Sequence, residues 1–350
     1  VEAAETVEMI RLGSRGPEVS RFCLGLLPLS PLQSNLPWRR AVSLLEDALA
    51  AGVTFFDTAE LYRTYPLVRD VLRPPAVVAT KAYAYTYAGM KESLQRALEE
   101  TGRERIDIFL LHEQESGLTL AGHSEALRCL VEAREAGLVG AVGVSTHAPA
   151  VVAAAADMED IDIIHPLVNY RGLGLLEGTL DEMLTAIAKA AGAGKGVYAM
   201  KILGGGHLAA VGRNADAVGL ASAAGDGSVA AGAAEAFAFI RGVPGVHAVA
   251  VGVKTRAELL VDLALLEGRA PPPRVAQSIL VHRRRLFIES HCEGCGQCLG
   301  ACRYGALSLV PAVPGRGASP ASRRAVVDQS KCVLCGYCAA ACRDFYIKVI

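Results

Sequence analysis

The stretch Ile106–His147 reads IDIFLLHEQESGLTLAGHSEALRCLVEAREAGLVGAVGVSTH. It opens on the apolar run IDIFLLHE, continuous rather than alternating, as a strand buried on both faces should be. The segment HSEALRCLVEAREAG then has helical periodicity and stops at Gly137, glycine being the residue that most readily ends a helix. A second apolar run, VGAVGVSTH, follows. Two buried strands joined by a helix lie parallel, because a parallel pair needs a crossover connection.

The same unit recurs in both directions. Upstream, the strand runs SRFCLGLL, GVTFFDTA and AVVATKA are followed by the helical runs PWRRAVSLLEDALAAG, PLVRDVLR and YAGMKESLQRALEETG. Downstream come an alanine-rich helix near residues 149–158, then DIIHPLVN with TLDEMLTAIAKAAGA, GVYAMKIL with VAAGAAEAFAFIRGV, and VHAVAVGV with RAELLVDLALLEG. Gly52, Gly102 and Gly268 stop further helices. Eight strand–helix units in roughly 260 residues predict an α/β fold, a (β/α)8 TIM barrel. An open doubly wound sheet would be expected to carry G-x-G-x-x-G after its first strand, and none is present. The preceding segment, MIRLGSRGPEVS, reads as a hairpin that plugs the barrel floor. Three prolines in EGRAPPPRVAQ end the eighth helix. The predicted organisation is a barrel over 1–270, a linking helix over 271–290, read from AQSILVHRRRLFIES, and a small α+β ferredoxin-like domain over 291–350.

That last segment holds eight of the ten cysteines. Cys292, Cys295, Cys298 and Cys302 are spaced C-x2-C-x2-C-x3-C, and Cys332, Cys335, Cys338 and Cys342 repeat the spacing. This is the bacterial two-cluster ferredoxin pattern, in which the fourth cysteine of each run ligates the other cluster. Cys292, Cys295, Cys298 and Cys342 are therefore expected to hold one 4Fe-4S cluster, and Cys332, Cys335, Cys338 and Cys302 the other. Paired zinc sites would use two C-x2-C pairs across a long gap. A secreted disulfide framework would not pack its cysteines into two tight runs of a long chain. Arg303 and Arg343 stand where the pattern usually has proline, and positive charge there should raise a cluster's potential. YGALSLV and DFYIKVI read as short flanking strands, and PAVPGRGASPASRR between the motifs as a loop. Cys23 and Cys129 lie outside the motifs and read as buried structural residues.

The 35 basic and 36 acidic residues nearly balance, and no basic stripe marks a nucleic-acid partner. No run of about 18 apolar residues predicts a membrane span. The first residues, VEAAETVEMIRLG, lack the apolar core of a signal peptide, so the expected location is cytoplasmic.

In a (β/α)8 barrel, chemistry sits at the C-terminal ends of the strands. There FFDTAELY places Asp57 and Tyr62, VVATK places Lys81, and IFLLHE places His112. A tyrosine with an ordinary pKa of roughly 10 becomes a usable acid beside an ammonium, and a carboxylate fixes that ammonium. A histidine can orient and polarise a carbonyl. Each residue also has a bland role: a helix cap for Asp57, a structural pair for Lys81, packing for Tyr62 and His112.

The ordered set FDTAELY, VVATK, IDIFLLH and VGVSTH resembles the aldo-keto reductase superfamily over about residues 1–270. The resemblance implies carbonyl reduction or alcohol oxidation by hydride transfer with NADP(H) or NAD(H). It makes Tyr62 the general acid, tuned by Lys81 and Asp57, with His112 orienting the substrate. It also implies nicotinamide contacts from Ser145, Thr146, His165 and Asn169, and a stacking platform at Met200. Gly204 and Gly205 would cradle the pyrophosphate, and Lys254 and Arg256 the adenosine phosphate. Thr146, His165 and Met200 depart from the family's usual residues, which leaves NADP and NAD both open. With the cysteines, the chain resembles iron–sulfur-containing aldo-keto reductases. The substrate would be a small carbonyl or alcohol, and a redox partner protein is compatible with the tail. Hydride carries two electrons whereas each cluster passes one, and no flavin motif converts between them. The tail would then relay electrons between a partner and the substrate, sense redox state, or shape the pocket. Two other classes stay open: an electron-transfer or redox-sensing protein whose barrel is an altered scaffold, and a barrel that binds NADPH as a regulatory ligand.

Overall fold

Eight parallel strands close on themselves in the computed structural model, which describes residues 7–209, 229–278, 285–290, 292–311, 323–342 and 346–349. A hairpin, β1 (Met9–Arg11) and β2 (Glu18–Ser20), precedes them. The barrel strands are β3 (Phe22–Gly25), β4 (Phe55–Asp57), β5 (Val77–Ala82), β6 (Ile106–Gln114), β7 (Val139–Thr146), β8 (Ile163–Pro166), β9 (Gly196–Ala199) and β10 (Ala248–Val251). They follow one another around the barrel, and β10 closes it against β3. The eightfold strand–helix repeat is thus the observed architecture.

Successive side chains on a strand point to opposite faces. Phe56, Val78, Phe109, Leu111, Val142 and Ile164 face outward and pack in one core with the surrounding helices. Cys23, Phe55, Ala79, Ile108, Leu110, Ala141, Ile163 and Tyr198 fill the barrel interior. Leu12 and Val19 of the hairpin join that inner core, so the floor is plugged as expected. Continuing the inner rows by two residues toward the strands' C-terminal ends gives Asp57, Lys81, His112 and His165, and on β7, past Gly143, a step of four gives Ser145. The alternation that fills the interior with apolar groups therefore delivers a ring of polar groups to the mouth.

Cys23 is fully buried in the inner core, and Cys129 is buried on the helix Ser124–Glu135. The four glycines read as helix stops all take positive φ. One short helix, Gly117–Gly122, interrupts what reads as a loop; a capping box of Ser116 and Thr119 starts it.

The linking segment departs from expectation. Among the described residues its helix covers Pro273–Ser278, and Leu286–Ile288 forms a strand, β11, instead of the end of a helix. β11 gains antiparallel pairing with the C-terminal strand β14 (Ile347–Val349), which a continued helix would leave without a partner. Two further strands, β12 (Leu307–Pro311) and β13 (Arg323–Val327), pair antiparallel. The loop read between the motifs falls largely at 312–322, outside the described residues, as does Arg343. Each cysteine motif leads into a short helix, Gln297–Gly300 or Tyr337–Ala341, preceded by a left-handed glycine at Gly296 or Gly336. The module is thus an internal repeat in structure as in sequence.

Candidate active site at the barrel mouth

Asp57 and Lys81 form the buried centre of the mouth. Lys81 Nζ donates to both Asp57 oxygens, at 2.8 and 2.7 Å, and to the Thr58 carbonyl at 2.8 Å. An ammonium has three donors, so all are committed. Asp57 also accepts from the Tyr198 hydroxyl at 3.0 Å. Lys81 is 2% exposed and Asp57 5%.

Tyr62 sits in the one-turn 3-10 helix Glu60–Tyr62 that follows β4. Lys81 Nζ lies 5.1 Å from its ring centroid, a cation–π contact. The ammonium therefore meets the face of the ring and spends its protons elsewhere. The expected lowering of the Tyr62 pKa does not occur. Burial and the Asp57 and Glu113 charges push it well above the ordinary tyrosine value, against a smaller opposing hydrogen bond from Tyr337. Tyr62 is a hydroxyl that keeps its proton.

His112 stands edge-on to Tyr62, with ring centroids 5.9 Å apart, and stacks on Tyr83 at 4.2 Å. Burial holds it well below the ordinary histidine value, Glu113 opposing, so the ring is neutral. Its Nε2 lies 3.5 Å from the hydroxyl of Tyr337, and its Nδ1 is buried without a hydrogen-bond partner among the described residues.

The four residues read as catalytic are thus brought together. Several neighbours of equal weight carry no signal in the motifs that were read. Glu113 accepts from the Tyr83 hydroxyl at 2.5 Å and from Arg303 at 3.2 Å, and Arg303 also pairs with Glu115 at 2.8 Å. Burial opposes charge on Glu113, while the Lys201 and Arg303 charges and the Tyr83 hydrogen bond favour it, and its pKa lies below the usual value. Arg303, noted in the sequence for standing in a proline position, is an ion-pair bridge from module to barrel. Tyr304 shares a hydrogen bond with His147. Tyr337, between Cys335 and Cys338, packs against the cluster of Leu32, Ala59 and Tyr62.

The residues expected to contact a nicotinamide have other occupations. Ser145 is fully buried and its hydroxyl accepts the Glu113 N–H at 2.8 Å. Thr146 donates to the Gln114 carbonyl at 2.6 Å and accepts from Ala148 N–H at 2.9 Å. His165 stacks on Tyr198 at 3.8 Å and bonds through Nδ1 to the Tyr198 carbonyl at 2.7 Å. Asn169, also fully buried, donates to the Leu173 and Lys201 carbonyls and accepts from the Arg171 and Leu173 N–H groups. That uses every site of its amide and makes it the pin of the loop after β8. Met200 pairs with Leu167 in an isolated bridge.

Gly204 and Gly205 lie in a short turn facing the module. A Cβ at Gly205, where φ is 71°, would stand 2.4 Å from the Val333 carbonyl. Arg256 begins the helix after β10; it is mostly exposed and pairs with Asp47 at 3.4 Å. The Lys254 N–H bonds to Glu258 at 2.5 Å. As the mouth stands, these residues fit a nicotinamide ring poorly: the groups that would hold its carboxamide are buried, and Thr146 and Asn169 are fully hydrogen-bonded within the chain.

The cysteines fall into the two expected groups. Cys292, Cys295, Cys298 and Cys342 line one recess with Gly294, Gly296, Ala325 and Ile347. Cys302, Cys332, Cys335 and Cys338 form the other electrostatically coupled group. Lys201 supplies a second sign. Its Nζ is buried without a hydrogen-bond partner among the described residues, and its charge acts on Cys332 and Cys335. A cluster held by four thiolates is anionic and would answer that orphaned charge.

The Aldo/keto reductase family matches residues 21–260, and the chain belongs to it. The 4Fe-4S dicluster domain matches residues 291–344, so the chain joins that barrel to an iron–sulfur module. Among curated proteins it is 25% identical over 160 residues to the uncharacterized oxidoreductase YqkF of Bacillus subtilis, covering 41% of this chain and 50% of that one. It is 26% identical over 210 residues to the oxidoreductase YdhF of Escherichia coli, covering 51% and 66%. It is 23% identical over 193 residues to L-galactose dehydrogenase of Arabidopsis thaliana, covering 51% and 60%. The chain thus spans half to two thirds of these relatives. Two solved structures share the fold: a putative aldo-keto reductase from Pseudomonas aeruginosa (TM-score 0.60, 22% identity, 75% of this chain and 97% of that one) and AKR11C1 from Bacillus halodurans in its holo form (TM-score 0.60, 17%, 77% and 94%). Among the described residues no helix is long and apolar enough to cross a membrane.

His165 offers a pH test of the mouth. Burial pushes its pKa down to about 4, against smaller opposing effects of Asp57 and the Tyr198 carbonyl. An unfolded chain takes up this proton below about pH 6.5 and the folded chain only near 4. The stability is therefore present above pH 6.5 and lost as pH falls toward 4, by about 3 kcal/mol at most. Urea midpoints measured from pH 7.5 to 5 should fall more steeply for the wild type than for His165→Gln. Parallel curves would rule out a buried neutral His165.

Proposed function

We propose that the chain is an oxidoreductase that interconverts a small carbonyl and its alcohol at the barrel mouth, with two 4Fe-4S clusters as its electron carriers. The observation that carries this reading is the convergence of Tyr62, His112, Lys81 and Asp57 directly beneath Tyr337 of the second cysteine motif. When bound, the clusters supply electrons one at a time, and two of them match the two electrons a carbonyl requires.

The chain's own residues handle position and protons. The Tyr62 hydroxyl, held protonated, donates to the carbonyl oxygen and releases its proton only once that oxygen has become strongly basic. That favours reduction over oxidation. Neutral His112 orients the same oxygen, and Tyr83 stacked on it fixes the ring. The Asp57–Lys81 pair sets the field behind Tyr62. Leu32, Ala59 and Tyr337 exclude water.

One observation favours the scaffold alternative: Lys81 has no donor left for the Tyr62 hydroxyl. Turnover decides. The anaerobically purified holo chain would be offered aldehydes, ketones and alcohols with NADPH, NADH and a reduced viologen dye in turn. Tyr62→Phe should lower kcat by about 10²–10⁴. Cluster redox chemistry without any Tyr62-dependent turnover would favour the scaffold.

A further inference from the structure

The face of the barrel on which a nicotinamide is expected is covered by the chain itself. Residues 332–337 are held from two sides. On one side, beyond β9, His207 Nε2 bonds to the Cys332 carbonyl at 2.6 Å, and Gly205 meets the Val333 carbonyl with no room for a side chain. On the other, beyond β3, Gln33 Nε2 donates to the Leu334 carbonyl at 2.9 Å, and Gly336 lies against the Leu32 carbonyl, 2.3 Å from where a Cβ would stand. The first motif adds Tyr304 on His147 and Arg303 on Glu113. Lys201, beside the expected stacking residue Met200, has its Nζ over the ring of Tyr304 in the first motif, 5.9 Å from the centroid. Thr146 and Asn169 are fully hydrogen-bonded within the chain, and Ser145 and His165 are buried beside them, each already bonded to the protein. Cys295 is exposed, and the recess it lines touches module residues only, whereas the segment of Cys332 and Cys335 carries the barrel contacts of His207 and Gly205.

We propose that the iron–sulfur module stands in place of the dinucleotide. The redox partner of the barrel site is a one-electron carrier that meets the module at its outer face, and the docked chain binds no nicotinamide dinucleotide. The chemistry assigned to the barrel rests on the carbonyl reading given above; the absence of dinucleotide binding does not. The balance is one carbonyl, two protons and two equivalents of reduced carrier, giving one alcohol and two equivalents of oxidised carrier. The C=O π bond breaks. An O–H bond forms with the Tyr62 proton and a C–H bond with a proton from solvent, and solvent reprotonates Tyr62. Single-electron delivery favours carbonyls whose half-reduced state is delocalised, which points to carbonyls conjugated with an aromatic ring or a C=C bond.

The test uses the full-length holo protein under anaerobic conditions, its clusters verified by electron paramagnetic resonance after dithionite. NADPH and NADH are each titrated calorimetrically, and the iron–sulfur absorbance is followed with each dinucleotide and with reduced methyl viologen. The expected result is no saturable heat up to millimolar dinucleotide, no bleaching by either, and bleaching by the viologen. Saturable binding of either dinucleotide in the micromolar range, or bleaching by it, overturns the proposal. Failure of the carbonyl reading would register separately, as turnover insensitive to Tyr62→Phe while dinucleotide binding stayed absent.

Discussion

Asp57→Ala should cost the barrel about 3–5 kcal/mol of stability, the typical penalty for leaving one member of a buried ion pair alone. Lys81, 2% exposed, would lose both carboxylate bonds and retain only the Thr58 carbonyl. The Tyr198 hydroxyl would lose its acceptor as well. The comparison that gives the number meaning is the double variant Asp57→Ala/Lys81→Met. Removing both charges also removes the desolvated ammonium, and Met fills the stem's space, so the double variant should recover most of the loss. Anaerobic urea denaturation of the holo chain, followed by circular dichroism, reads both. If the single variant is as stable as the double, the pair is not what holds the mouth together. Activity should fail in both variants, since the field behind Tyr62 is gone. Stability and catalysis thus respond differently to the same two residues.

That pair was legible in the sequence because strand alternation is a local rule. Once VVATK and GVTFFDTA are read as buried strands, the inward rows end at Lys81 and Asp57 without any tertiary information. His112 follows in the same way from IDIFLLHE. The lid is a different matter. Tyr304 with His147 and Tyr337 with His112 join residues more than 150 positions apart, and no periodicity connects them. Arg303 was visible as an unusual residue, but a charge beside a cysteine motif has no address until Glu113 and Glu115 are seen opposite it. Leu286–Ile288 is a three-residue apolar run after three arginines. Such a run is ambiguous between helix and strand, and pairing with Ile347–Val349 decided it.

Asn169 shows how much of a residue's surroundings a resemblance leaves unstated. The type and place of the residue match a ligand-binding role. The four hydrogen bonds to Leu173, Arg171 and Lys201 show an amide that ties its own loop to the segment after β9. The turn at Gly204 and Gly205 likewise has the glycines a phosphate cradle would need, yet the close approach they permit is to the Val333 backbone. In both cases a contact seen in the fold is to backbone distant in sequence, which local sequence does not supply.

The cysteine assignments make the second large prediction. Cys342 belongs to the second motif in sequence but lines the recess of the first three cysteines. Cys342→Ala should therefore damage the outer cluster and spare the inner one, while Cys302→Ala, in the first motif, should do the reverse. Each variant should lose about half of the iron, roughly four of eight atoms per chain, and the magnetic interaction between two reduced clusters should vanish in both. The variants should then diverge. The inner group includes Cys332, whose carbonyl binds His207, and lies in the same loop as Val333 and Tyr337, which touch Gly205 and His112. Losing the inner cluster should loosen that loop, raising amide hydrogen exchange at the barrel mouth around Gly204–Gly206 and at residues 332–337. Losing the outer cluster should leave exchange there unchanged, because its recess touches only module residues. Equal exchange at the mouth in the two variants would mean that the lid is held by the polypeptide contacts alone, with the inner cluster adding nothing to the docking. A selective rise in Cys302→Ala would tie cluster insertion to closure of the active site. An enzyme built that way assembles its catalytic pocket only when its electron carriers are in place.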